Sequence, residues 1–521
     1  MAFTFNIPEI KDKPIIVAET RPSKISQSLA EVHHLSPLEV ASHIYGELEI
    51  SNRQKVSAST RIQALDAYRP LVLSTALALA EHYTNATLPL HDKAKLAASA
   101  AELLWLELGF GYKIAIVDLQ NQLIKLGAEK NIIHATAHAI HALSEHAMVC
   151  YQTYVTPPTS IWADLHQLYF QAAQMGVQHH KAASNDASLN LSIESSYKHA
   201  LLMHLADPQH LTQPDIRLVA NYLGYHVNSA QISATMPLEF DRATFTINLT
   251  SDEPPIPHIK RKKSPDEASD IFLNTIDLVR TIHQQLGSLQ KKQLPKDGSI
   301  PSNANLADYV DLLTYLIKHW GIIPKRVFSR SQKNGEIELV TGIAAIHYVS
   351  DLKPLATNVQ NLTVESADGQ SIKQVMPSRW QVLNISATGM AVRRHPTADK
   401  NIKVDSLVGI RTKDEKNWAL GIVRWASCAE KERLDIGVQL IAPLAHTAIA
   451  TIDGRESEEL VLLLPEINSV NQASTILAPR GTFAPARQLT LQQQSGTIHI
   501  MLTKIVDRSH HFERMQFSII A

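Results

Sequence analysis

The chain has 521 residues, of which 45% are hydrophobic and 19% charged, and its net charge is -1. That length exceeds what one hydrophobic core supports, so several domains are expected. The near-neutral balance excludes a disordered acidic or basic tail and gives the chain as a whole no attraction to nucleic acid or to a membrane surface.

Two isolated cysteines, Cys150 and Cys428, provide neither a disulfide framework nor a CxxC metal site, as expected for a reducing compartment. Met1 to Pro8 lacks the basic start, apolar stretch and cleavage site of a secretory signal. The longest apolar run of the first half, Leu71 to Ala80, falls far short of the ~20 residues that a membrane span needs. A cytoplasmic protein without a membrane span is the expectation.

In chain order, residues 1–35 read as an N-terminal arm and 36–232 as an α-helical domain. Ser36-Pro37-Leu38-Glu39 opens the first predicted helix with a hydroxyl cap, a proline at the first helical position and a glutamate placed to complete a capping box. Apolar residues then recur at three- and four-residue steps, as in Ile62, Leu65 and Tyr68, or Ile161, Leu165, Leu168 and Ala172. Helix breaks are predicted at Arg69-Pro70, Leu88-Pro89, Gly109-Phe110-Gly111, Thr156-Pro157-Pro158 and Asp207-Pro208. The outcome is a helical array in which Trp162–Met175 and Tyr197–Leu205 form a hairpin.

Residues 233–268 read as a strand followed by a linker. Phe240, Arg242, Thr244 and Thr246 alternate as in a strand, whereas 252–268, rich in proline and charge, has too little apolar surface to fold alone. Its basic run Lys260–Lys263 is expected to be solvated. Two helices fill 269–321, and in the second Leu306, Tyr309, Leu313, Ile317 and Trp320 share a face expected to pack on the barrel that follows.

From Gly321 the period changes to two, with short apolar runs separated by turns, as in a β-barrel or sandwich. Two motifs stand in this region. Arg326-Val327-Phe328-Ser329-Arg330 is an Arg-x-x-x-Arg, and Asn384-Ile385-Ser386-Ala387-Thr388-Gly389 is an Asn-x-Ser-x-x-Gly followed by the strand Met390-Ala391-Val392. They resemble the signature of the PilZ domain, a family of cyclic di-GMP receptors. Trp418–Trp425 and Ile436–Leu440 look like later strands of that family, so the likeness covers roughly 322–446. The departure is the long stretch between the motifs, residues 331–383, with a predicted strand at Glu336–Tyr348 and a polar insert around Leu352–Ser378.

The resemblance implies that Arg326, Arg330, Asn384, Ser386 and Gly389 bind cyclic di-GMP. The residue chemistry agrees with this role. Guanidinium forks onto phosphate oxygens and onto guanine O6/N7 and stacks on bases. Asn384 both donates and accepts, Ser386 brings a hydroxyl, and Gly389 permits a turn or a close backbone approach. Arg393 and Arg394 are the nearest substitutes should the first arginine pair not reach the turn.

Residues 447–521 read as a second small β domain, with strands at Glu459–Pro465, Ala473–Leu477, Arg487–Leu491, Thr497–Thr503 and Phe512–Ile520. Arg480 and Arg487 flank Gly481-Thr482-Phe483 as loop charges. The expected architecture is therefore multidomain α+β: an α-helical N-terminal array, a PilZ-like antiparallel barrel and a second β domain.

The sequence carries no phosphate-binding glycine loop, nucleophile elbow or paired-acid motif, so no catalytic residue and no cofactor are assigned and the protein is not expected to be an enzyme. The expected function is a cytosolic cyclic di-GMP receptor that signals through its helical half to a protein partner. By resemblance it would act in biofilm, motility, pilus or virulence processes. Two alternatives remain. One is a ligand-independent scaffold with a degenerate PilZ-like unit. The other is a helical-bundle metal protein built on His134, His138, His141 and Glu145, for which the sequence offers no matching Glu-x-x-His on a second helix.

Overall fold

The computed structural model describes residues 5–520 except 13, 33, 122–126, 183–191, 236–242, 262, 263, 265, 322–330, 333, 334, 351–363, 366–370, 373–375, 399, 400, 430–432, 453–457 and 467–472. Contacts divide the chain into two units. The first comprises Met1–Asn85, Asp92–Pro208 and Gln213–Lys325, and the second Ala86–His91, Gln209–Thr212 and Arg326–Ala521.

The first unit begins with helices α1 (Pro22–Glu31), α2 (Pro37–Asn52), α3 (Ala58–Ala80) and α4 (Asp92–Gln120). It continues with α5 (Ala128–Gln152), α6 (Thr159–Gln174), α7 (Ile193–Leu205) and α8 (Gln213–His226). The capping box forms as its residues dictate: Glu39 N–H donates to the Ser36 hydroxyl, and Ser36 N–H donates to the Glu39 carboxylate at 2.9 Å. α1 lies within the stretch read as an arm and buries Ile25 and Leu29. The expected hairpin is present as α6 and α7, joined by the stacked rings of Tyr169 and Tyr197, 4.4 Å apart.

Two predicted breaks do not occur. α3 continues across Pro70, with Ile62, Leu65 and Tyr68 buried before it and Val72 and Leu79 after it, so packing on both sides outweighs the ~3 kcal/mol a proline costs inside a helix. α4 runs through Gly109–Gly111 because Gly111 serves close packing: a Cβ there would stand 2.6 Å from a Leu65 methyl.

An ion pair lies deep among these helices. Lys113 Nζ of α4 is 2.5 Å from Asp164 Oδ2 of α6, with both side chains almost wholly buried, and it also donates to the Asn6 carbonyl at 2.6 Å. Asn6 N–H in turn donates to Asp164 Oδ1 at 3.1 Å, tying the N-terminal stretch into the core. Burial pushes the Lys113 ammonium down and the Asp164 carboxyl up, each opposed by the partner's charge.

The unit closes with a four-stranded antiparallel sheet and two helices. The strands β1 (Gln231–Ser233), β2 (Thr244–Asn248), β3 (Ile256–Pro257) and β4 (Asp270–Asn274) lie in the order β1-β4-β2-β3. The segment 252–268, read as a linker, therefore contributes a strand. It is held by the Thr246 hydroxyl on His258 Nδ1 at 2.8 Å and by the Arg261–Asp270 ion pair at 2.5 Å. Helices α9 (Ile276–Gln290) and α10 (Leu306–Trp320) follow. The apolar stripe of α10 packs inside this first unit, where Trp320 Nε1 donates to the Leu202 carbonyl at 3.1 Å and the Tyr315 hydroxyl to that of Asp207 at 3.1 Å.

The second unit contains β5 (Ser331–Gln332), β6 (Glu336–Thr341), α11 (Ile343–Ser350), the small pair β7 (Val364–Glu365) and β8 (Ser371–Ile372), β9 (Ser378–Ser386) and β10 (Gly389–Arg394). Next come β11 (Leu407–Thr412), β12 (Ala419–Ala429) and β13 (Arg433–Ala442). β9 pairs with both β6 and β10, closing the ring β9-β10-β13-β12-β11-β6, and β5 lies alongside the far end of β9. The sequence places a single strand at 336–348; the chain instead turns at Gly342, whose φ is +89°, and forms α11.

A second closed barrel follows: β14 (His446–Ile452), β15 (Glu458–Leu464), β16 (Thr475–Pro479), β17 (Gln488–Gln493), β18 (Gly496–Arg508) and β19 (Phe512–Ile520), arranged β14-β15-β16-β19-β18-β17. Its interior is aliphatic, with Ile476, Leu491, Ile500 and Leu502 fully buried. Ala345 and Ile346 of α11 pack in one cluster with Leu407 and Ile422 of the first barrel and Leu462, Leu477 and Phe512 of the second. The multidomain α+β expectation is borne out, and both β domains are closed barrels.

Replacing Asp164 by Ala leaves a buried lysine unpaired, which is expected to cost about 3–5 kcal/mol; calorimetry should show a lowered helical transition, and an unchanged one would mean that the pair contributes nothing. A second expectation concerns pH. Burial holds the imidazoles of His138, His146 and His166 down to about 3, 4 and 4. Unfolded, the same rings bind protons near pH ~6.5. Acidification from about pH 7.5 to about pH 5.5 therefore protonates the unfolded chain alone and lowers stability by on the order of 1 kcal/mol per ring. Thermal melts at the two pH values, followed by circular dichroism, measure the drop.

Candidate ligand-binding site

The Asn-x-Ser-x-x-Gly motif forms a hairpin. Ser386 ends β9, Gly389 begins β10, and the two are paired across the two-residue loop Ala387-Thr388. The Ser386 hydroxyl donates to the Gly389 carbonyl at 3.2 Å, and Leu440 N–H donates to the Thr388 carbonyl at 2.9 Å, anchoring the loop to β13. Gly389 is required by proximity: a Cβ there would lie 2.2 Å from the Val438 carbonyl oxygen on β13. Of the two roles sequence allows this glycine, close approach is the one it fills. Asn384 stands half-buried on β9, opposite Ala391 on one side and Gln332 of β5 on the other.

β12 and β13 complete the site. Val423 pairs with Val438 and Trp425 with Gly437, so Arg424 is the extra residue of a β-bulge. A bulge re-aims side chains, and here the consecutive residues Arg424 and Trp425 line the same depression. The Trp425 indole lies against the backbone at Gly437, where a Cβ would be 1.8 Å from the indole Nε1. An open depression of about 270 Å³ results, lined by Asn384, Ser386 and Thr388 from the hairpin, Arg424 and Trp425 from β12, and Gln439 from β13.

Arg424 is fixed by three partners. Its Nε donates to Gln439 Oε1 at 2.8 Å, one terminal nitrogen is 2.9 Å from Asp507 Oδ2 in the second barrel, and the other is 3.6 Å from Asp405 Oδ1. Burial pushes the Asp405 carboxyl up to about 6, against the opposing pull of Arg424. Arg424 is the one ionisable side chain among the described lining residues. Guanidinium does not give up its proton in proteins, so the lining offers hydrogen bonds, charge and an aromatic face, which serve recognition.

Of the five residues the sequence singles out, Asn384, Ser386 and Gly389 converge on this depression. Arg326 and Arg330 lie outside the described residues, but Ser331, the next residue in the chain, pairs with Ile385 beside Asn384. The substitutes are already engaged: Arg393 forks onto Asp435 at 2.7 and 3.0 Å, and Arg394 is buried and donates to the Pro396 and Ala398 carbonyls. Arg487 braces its own turn by donating to the Gly481 carbonyl, and Arg480 donates to the Ser509 carbonyl in the β18–β19 turn. Sequence reading missed Arg424, Trp425 and Gln439 as lining residues, because a strand's alternation puts Arg424 and Trp425 on opposite faces and only the bulge unites them. In the first unit, His134 and His138 gather around Asp66 of α3, whereas His141 packs on the Trp105 ring and Glu145 stands 3.9 Å from Arg217.

A closed barrel carrying this hairpin, with the strand that follows an Arg-x-x-x-Arg laid beside it, is a PilZ-type domain. Family models agree over nearly the whole length. The chain matches "Cyclic-di-GMP receptor FimW, N-terminal domain" over residues 23–237, "Cyclic-di-GMP receptor FimW, middle PilZ domain" over 244–376 and 353–447, and "FimW C-terminal beta-barrel domain" over 447–520. It belongs to this family of three-part PilZ-domain proteins. Among curated proteins it is similar to the cyclic-di-GMP receptor FimW of Pseudomonas aeruginosa PAO1, with 24% identity over 585 aligned positions covering 99% of this chain and 93% of the relative. Among the described residues no helix is long and apolar enough to cross a membrane.

Gly389→Ala is expected to force β10 and β13 apart at the hairpin. The clash is with backbone, so the barrel should lose about 1–3 kcal/mol; a denaturation midpoint equal to wild type would mean that the strands separate freely there.

Proposed function

We propose that this chain is a cytosolic cyclic di-GMP receptor that holds the dinucleotide on the first barrel and does no chemistry on it. One observation carries the reading: hairpin residues Asn384 and Ser386 share a depression with a guanidinium and an indole face. A guanine suits that lining, stacking on Trp425 while its edge meets Asn384 and Arg424. At about 270 Å³ the depression is smaller than most ligand sites, so it takes only part of the dinucleotide. In this reading Arg326 and Arg330 bind the rest by neutralising its phosphodiesters. Chain continuity supports this, since Arg330 is one peptide link from Ser331, whose partner is Ile385.

In this reading the helical half is the output and meets a protein partner. The link from site to output need not be a change of fold: a ligand that binds one arrangement of the chain more tightly shifts the population toward it. Within the second unit, Arg424 is the residue placed to report occupancy, because it touches the site with one end and Asp507 of the second barrel with the other.

Titration calorimetry of the full chain is expected to show saturable binding of cyclic di-GMP and none of cyclic di-AMP. Arg326→Ala, Arg330→Ala and Asn384→Ala should each weaken binding, the arginine changes by about 2–5 kcal/mol. No heat from folded wild-type protein would favour a ligand-independent scaffold; unchanged affinity in both arginine variants would place the nucleotide elsewhere.

A further inference from the structure

In the helical unit, α3 and α5 bring together a donor set to which no role has been assigned. His134 and His138 lie one turn apart on α5, and Asp66 faces them from α3; one donor atom from each falls within 4.8 Å of the others. His134 Nε2 is 3.0 Å from both Asp66 carboxylate oxygens. That spacing is close to the roughly 3.3 Å between neighbouring ligands of a tetrahedral ion with bonds near 2.0 Å. The Tyr112 hydroxyl donates to Asp66 Oδ1 at 2.8 Å and orients the carboxylate from behind, as outer partners of metal ligands do.

His138 separates this set from an ordinary buried polar network. Its side chain is 3% exposed, its ring lies 4.2 Å from that of His134 and stacks on Tyr112 at 4.8 Å, and neither ring nitrogen has a hydrogen-bond partner. A buried imidazole with both nitrogens unpaired is costly, and a bound cation relieves that cost. Burial also keeps this ring neutral, the form that ligates.

The sequence offers no matching Glu-x-x-His on a second helix; the fold nonetheless brings a donor from α3, Asp66, to the two histidines. We propose that Asp66, His134 and His138 bind a divalent transition-metal ion of the zinc class, with the remaining position open to solvent. The Asp66 side chain, 37% exposed, marks the side of entry. Two imidazoles and a carboxylate suit zinc or ferrous iron better than calcium or magnesium. Arg69, one turn beyond Asp66 on α3, lowers proton affinity at His138 through its charge and likewise opposes the ion. The site is therefore weaker than a closed four-ligand one, and suits an ion that clamps α3 to α5 rather than one that the fold requires.

The test is a zinc titration of chelator-stripped, full-length protein against a chromophoric competitor. One equivalent should bind, raising the melting temperature of the helical transition. Asp66→Asn and His138→Gln should weaken binding by at least about 100-fold, beyond most outer-shell effects, whereas His141→Ala should leave it unchanged. Absence of binding by folded wild type at micromolar free zinc overturns the site, as does wild-type affinity in either ligand variant. Should those variants fail to fold, X-ray absorption of the zinc-loaded wild type decides: a shell of nitrogen and oxygen with imidazole scattering supports it, and sulfur in the shell overturns it.

Discussion

The first barrel closes because three strands approach more tightly than side chains allow. At Gly389, Gly421 and Gly437 a Cβ would stand 2.2 Å from the Val438 carbonyl, 2.4 Å from a Val438 methyl and 1.8 Å from the Trp425 indole. These absences let β10, β12 and β13 pack around Val438 and lay Trp425 against the sheet. Two of these glycines, Gly389 and Gly437, line the depression together with Asn384, Ser386, Arg424 and Gln439.

Much of this is legible in the sequence. Ser36 and Glu39 announce a helix start because a capping box is local, involving residues only three apart. The hairpin at Ser386 and Gly389 is local too, and so it appears where the motif places it. Illegible were features decided by distant partners. Pro70 and Gly109–Gly111 read as breaks, yet each lies within a helix whose far neighbours reward continuation. Residues 252–268 look unable to fold alone, which is correct of the segment by itself; β2 and Asp270 supply the partners it lacks. The pairing of Arg424 with Trp425 on one face depends on a register slip against β13 that leaves no mark on β12's own composition.

The two units use polar burial differently. In the barrels the buried cations are held by fixed partners, as Arg394 is by the Pro396 carbonyl and Arg514 by the Thr475 hydroxyl. In the helical unit burial falls on imidazoles, on the Arg61 guanidinium, which donates to the Ser51 and Gln54 carbonyls, and on the compact Lys113–Asp164 ion pair, which joins α4, α6 and the N-terminal stretch. Alanine-rich helices pack closely enough to exclude water from these groups.

The strand margins of the molecule also bear on its solution behaviour. In each barrel the main ring is closed, so its ladder runs from partner to partner without a long unpaired row of amides. The four-stranded sheet does have borders, β1 and β3, and both are poor templates: β1 is three residues long, and β3 ends in Pro257, which has no amide hydrogen to offer. Recruitment of a further strand from another copy finds little purchase on either, so among the described residues this sheet is protected against growth by edge addition.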